Sequence, residues 1–102
     1  MPMEDGWTFL TNHGHVMLCI AADPQIRLKD VAAMVGITER ATQRIVADLM
    51  DAGYLTAEKT GRRNCYQVNK SLHFRHPVER QHEIGELLRL FGAKKGFKRG
   101  AA

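Results

Sequence analysis

Between positions 12 and 22 apolar side chains recur at the spacing of a helix face, with Val16, Met17, Cys19 and Ile20 on one side. Asp23-Pro24 breaks the run, and Thr11 or Asn12 can cap its start. Positions 25–28 read as a short extended stretch. A brief helix over 29–35 follows, with Val31, Ala32 and Val35 on one stripe and Gly36 as its stop. Only Ile37 intervenes before Thr38, whose hydroxyl suits an N-cap. The helix that Thr38 opens is predicted to run to Ala52. Ile45, Val46 and Leu49, with Ala41 or Thr42, form its inward stripe, and Gly53 stands where a left-handed stop is wanted. The period then changes to that of strands over 54–59 and 65–68, joined by a turn-like segment at 60–64. After a connector, Pro77 is placed to open a last helix over 78–91, in which Ile84, Leu87, Leu88 and Phe91 sit at i, i+3, i+4 and i+7. Near the start, Trp7, Phe9 and Leu10 are expected to tuck against the body.

The order helix, short strand, helix, tight turn, helix, hairpin, helix predicts a mainly α fold with a small antiparallel β-hairpin. This is a winged helix-turn-helix followed by a C-terminal amphipathic helix. In such a unit the second helix of the pair can lie in a DNA major groove if its outer face carries base-reading side chains. With Ile45 as the inward centre, a step of about 100° per residue turns Glu39, Arg40, Gln43, Arg44 and Ala47 away from the core. Arginine suits guanine and glutamine suits adenine, so this face has the right chemistry. The acids Asp48 and Asp51 come later in the helix, which makes its N-terminal half the end to enter a groove. The hairpin tip adds Arg62 and Arg63 with no acid between Thr60 and Asn64, chemistry suited to phosphates or a minor groove.

Charge sharpens this picture by its distribution. The 102 residues carry a formal net charge of +4, and Lys94, Lys95, Lys98 and Arg99 account for all of it. The rest of the chain is balanced, so affinity for nucleic acid in the body must come from where charges sit. Hydrophobic residues make up 44% and charged residues 25%, which is ordinary for one globular domain. No apolar run approaches the ~20 residues that span a bilayer, and no signal-peptide pattern opens the chain, so no membrane association and a cytosolic location are expected.

At this point the chain resembles a known family. Val31-Ala32-Ala33-Met34-Val35-Gly36-Ile37-Thr38, Ala41-Thr42-Gln43-Arg44-Ile45-Val46 and Leu49-Met50-Asp51-Ala52-Gly53-Tyr54-Leu55 look like the winged helix-turn-helix of MarR-like and ArsR-like transcription regulators. The likeness covers roughly residues 12–69, and the turn from recognition helix into wing at 51–55 is its most specific part. It implies a homodimer on operator DNA, with Thr38, Glu39, Arg40, Thr42, Gln43 and Arg44 at recognition-helix positions and Arg62 and Arg63 at the wing tip. The chain is shorter than a typical MarR-like protein and lacks the cysteine-rich metal box of many ArsR-like sensors, so no effector is implied. The expected organisation is a winged domain over 1–77, a dimerisation helix over 78–91 presenting Ile84, Leu87, Leu88 and Phe91, and a disordered basic tail over 92–102.

Other chemistry finds little support. His13 and His15 point about 200° apart on a helix and cannot readily share a metal, and the remaining histidines show no recognised ligand spacing. Cys19 and Cys65 suit packing better than redox sensing. No paired carboxylates, Ser/His/Asp order or phosphate-cradling glycine loop is present, so neither an enzyme nor a cofactor is expected. The rival readings are a winged-helix module that docks on protein and a nonspecific, nucleoid-type DNA binder.

Overall fold

A computed structural model describes residues 6–92. The elements follow in the order α1 (Asn12–Ala22), α2 (Leu28–Val35), α3 (Glu39–Asp51), β1 (Leu55–Thr60), β2 (Arg63–Val68) and α4 (Ile84–Leu90). The fold is a winged helix-turn-helix, mainly helical with a two-stranded antiparallel hairpin.

Local chemistry fixes the joint between α2 and α3. Gly36 takes a left-handed conformation, φ 88°, and its N–H and that of Ile37 both donate to the Ala32 carbonyl, at 2.8 and 3.1 Å. This glycine-dependent stop satisfies a carbonyl that the end of a helix would otherwise orphan. Two residues later the Thr38 hydroxyl accepts from the Ala41 N–H at 3.0 Å and starts α3. The two helices are thus joined with no slack.

The core gathers one face from every element. Residues Val16 to Ile20 of α1 are all buried, so this helix is enclosed on more than one side. Val31 of α2, Ile45, Val46 and Leu49 of α3, Leu55 and Tyr66 of the hairpin, and Ile84 and Leu88 of α4 complete the same cluster. Trp7 and Phe9 do not tuck in as expected: both are exposed, and only Leu10 packs against the core. Nothing in 7–9 is amphipathic enough to fix its apolar side inward.

The first strand is shifted by one residue from its expected span, the second is longer than the sequence suggests, and the turn is shorter. Thr60 pairs with Arg63, leaving a two-residue turn at Gly61-Arg62. Gly61 is at φ 67° and no non-glycine residue described has a positive φ, which is the signature of a type II′ turn. Beyond Leu55 and Tyr66, little of the hairpin touches the core. It is held instead at its flank, where the Tyr66 N–H donates to the Pro24 carbonyl at 2.9 Å and the Arg63 guanidinium to the Gln25 carbonyl at 3.2 Å.

The last helix is also corrected: it starts at Ile84 rather than 78. Positions 78–83 supply only Val78 as an apolar side chain, too little for a buried stripe, and Glu83 and Glu86 form a reciprocal capping box that sets the start. The preceding loop is closed by Phe74 N–H to the His82 carbonyl (3.1 Å), Ile84 N–H to the Leu72 carbonyl (2.8 Å) and His73 Nδ1 donating to the Arg80 carbonyl (2.8 Å). The Tyr54 hydroxyl donates to the His73 carbonyl and ties this loop to the end of α3. Because α4 lies on the body, Ile84 and Leu88 are consumed by the core of their own chain and cannot present a free face. Leu87 is half-buried, and Phe91 keeps appreciable exposure.

Candidate nucleic-acid interface

The outer surface of α3 carries Glu39, Arg40, Gln43, Arg44 and Ala47, all exposed. They stand opposite the stripe of Thr42, Ile45, Val46 and Leu49 that faces the core. The N-terminal half of the helix therefore offers two guanidinium groups and one carboxamide to solvent.

Thr42 is a correction. It is 0% exposed, and its hydroxyl donates to the Thr38 carbonyl at 2.9 Å. Measured from the mean direction of Ile45, Val46 and Leu49, roughly 50° from Ile45, Thr42 lies near the centre of the buried stripe and Ala41 at its edge. A side chain there reaches no groove. Thr38 is exposed, but its hydroxyl oxygen is engaged as the cap of α3.

Arg62 occupies the tip of the wing and is exposed, as expected. Arg63, one residue on, lies on β2 and reaches back to Gln25, so it braces the wing against the loop between α1 and α2. The two arginines of the expected tip thus divide between an open end and a strut.

Several features were beyond the sequence reasoning. His13 on α1 donates through Nε2 to Asp48 on α3 at 2.8 Å, placing an α1 partner against one of the two acids in the C-terminal half of α3. The pair is 35 positions apart, so no local pattern announces it. Arg27, at the N-cap of α2, and Lys29, in its first turn, are exposed and basic as well. Their position at a helix start was a signal available in the sequence. Glu86 has its carboxyl pushed below the usual carboxylate range, first by the Glu83 backbone N–H and then by His82. It lies in α4 and serves the cap of that helix.

Among the described residues, no group of three or more His, Cys, Asp or Glu side chains could hold a metal ion. None of the described helices is long and apolar enough to cross a membrane.

A helix pair with a capped, three-residue joint, an exposed second helix and a hairpin behind it define the winged helix-turn-helix class. The family model described as winged helix-turn-helix DNA-binding matches residues 11–56, from the start of α1 into β1, just under half of the chain. No curated protein gives a significant match.

Proposed function

We propose that the protein is a transcription regulator that binds duplex DNA sequence-specifically as a homodimer. The observation that carries this reading is the outer face of α3: Arg40, Gln43 and Arg44 stand exposed at the end of a helix that a tight joint projects from the core. A major groove about 12 Å wide admits one such helix, and these side chains match the donor and acceptor pattern of guanine and adenine edges. Arg62 at the wing tip lies toward phosphates or a minor groove. The match over 11–56 to a DNA-binding family supports the same partner. Within the class, the turn Asp51-Ala52-Gly53-Tyr54-Leu55 supports a MarR-like or ArsR-like regulator.

Regulation follows from occupancy. A bound dimer blocks or recruits polymerase in the cytoplasm, and no covalent step or cofactor is involved. Thr42 has no part in base contact, and Arg63 acts by holding the wing in place. Selection of bound sequences from a random duplex pool by the purified protein tests the reading. An enriched motif is expected; retention without enrichment replaces it with a nonspecific binder, and no retention replaces it with a protein-docking module.

A further inference from the structure

A groove of about 920 Å³ opens on the side of the molecule away from the N-terminal half of α3. One wall is α1 and the C-terminal end of α3; the other is the 74–79 loop and α4. Met17, Leu49, Tyr54, Ile84 and Leu87 contribute its apolar lining. Phe9, 91% exposed, lines it as well and meets Trp7 edge to face with ring centroids 5.0 Å apart. Both walls bring carboxylates, Asp48 and Asp51 from α3 and Glu79 from the loop, against one guanidinium, Arg75. With His13 and His76 neutral, the lining carries a formal charge of −2.

The chain itself holds a segment of matching chemistry. Residues 93–102, outside the described residues, contain four cations and no acid. Lys94 and Lys95 precede Phe97, and Lys98 and Arg99 follow it. An apolar side chain bracketed by cations is the complement of an apolar hollow with a carboxylate on each wall. The segment also starts beside the groove. Leu87, on the last turn of α4, lines it, and Gly92 follows five positions later. Gly92 is left-handed, φ 71°, and its N–H donates to the Arg89 carbonyl at 3.1 Å, so the chain turns off the axis of α4 rather than continuing along it. At the rise of a helix, Gly92 stands about 8 Å beyond Leu87. The five residues from there to Phe97 reach up to about 17 Å, enough to return to the groove.

We infer that the groove is the docking site of this chain's own segment 94–99, with Phe97 against the apolar lining and the flanking cations against Asp48, Asp51 and Glu79. Other occupants fit less well. A groove open to solvent encloses too little of a small molecule, and carboxylates on both walls repel a duplex. A separate protein molecule has to be captured from solution, whereas a short tether supplies its own segment at an effective concentration on the order of millimolar. Contacts too weak to recruit a separate molecule therefore still fill the groove.

The inference goes beyond the proposed function and does not depend on it, and its test contains no DNA. A duplex presents one charge per about 1.7 Å of its axis, a stronger partner for the same four cations. Docking thus reduces their contribution to DNA affinity without abolishing it.

Amide NMR spectra of the full chain at low salt provide the test. In Phe97→Ser, which alters no described element, the resonances of Met17, Leu49, Asp51 and Leu87 should move, while those of Arg40 and Arg44 stay in place. Asp51→Asn combined with Glu79→Gln, both exposed positions, should move the resonances of Lys95 and Lys98 in return. Salt at about 1 M, where the Debye length is about 3 Å, should bring the native spectrum toward that of Phe97→Ser. Tenfold dilution should change nothing, and the Phe97 ring should show an NOE to the Leu87 methyls. If Phe97→Ser shifts only resonances of 93–102, the groove does not hold the segment and the inference fails. If the groove resonances of the native chain move on dilution, the occupant comes from another molecule, which overturns it as well.

Discussion

Arg44 and Arg62 are both exposed arginines, yet the element that carries each gives it a different task in the proposed complex. Arg44 leaves a helix that lies along base edges, so Arg44→Ala should cost about 1–3 kcal/mol on the preferred site and relax the preference at one base position. Arg62 leaves a turn near phosphates. Arg62→Ala should weaken binding to most sequences together and make the salt slope shallower by about one unit. Duplex titrations at several salt concentrations, with matched and altered sites, check both. Thr42 supplies the contrast. Its hydroxyl bonds the Thr38 carbonyl, which also accepts from the Thr42 N–H at 3.0 Å. Thr42→Val therefore strands no buried acceptor, and stability should change by no more than about 1.5 kcal/mol in a denaturant titration. Affinity for the selected site should be unchanged, whereas a base-reading residue would not tolerate the swap.

Elements show which parts of the fold were legible in the chain and why. The joint between α2 and α3 was readable because Gly36, Thr38 and Gly53 are local punctuation whose meaning needs no partner. The wing was readable as a hairpin, but its register was not. Arg63 belongs to β2 because it pairs with Thr60 and reaches a carbonyl 38 positions away, and neither contact leaves a trace in local composition. The periodic set Ile84, Leu87, Leu88 and Phe91 was visible, but periodicity says only that a face is covered. Its own core covers Ile84 and Leu88. The choice between Ala41 and Thr42 turned on the direction of the stripe as a whole, which one reference residue does not define.

Helix α4 carries its own pH response. The Glu86 carboxylate accepts from the Glu83 N–H at 3.0 Å and from His82 at 2.8 Å, and both hold its pKa below the ordinary 4.5. Because the folded value is the lower one, the cap contributes fully above pH 4.5 and is lost as pH falls through the folded value. Glu86→Gln keeps an acceptor at the third helical position without a titrating charge. The acid-induced shift of the Glu83 amide resonance should be smaller in the variant than in the native chain, the remainder coming from the Glu83 carboxyl itself.

For the whole molecule, charge and shape separate into regions. The net charge of +4 resides in 93–102, a segment outside the described residues, while the body is electrically balanced. Deleting 93–102 should therefore lower affinity for all duplexes alike, most strongly at low salt, and leave the ranking of sequences intact. Quantitative retention assays on a preferred and a scrambled duplex give the comparison. Nothing in the chain's periodicity could have revealed the exposed aromatic pair at Trp7 and Phe9, because a short segment has no second turn to declare which way it faces.

The way the wing is fastened has a consequence for its reach. It is fixed at its base by Leu55 and Tyr66 and along the β2 flank by the carbonyls of Pro24 and Gln25, the latter reached by Arg63, while the turn at Gly61-Arg62 projects beyond these contacts. The hairpin is thus a cantilever. Each pair of residues added to both strands advances the tip by about 7 Å and preserves which side chains face which way. The helical core does not need to repack to accommodate it. How far from the axis of α3 the wing can grip a duplex is therefore a quantity that can vary independently of the stability of the domain that carries it.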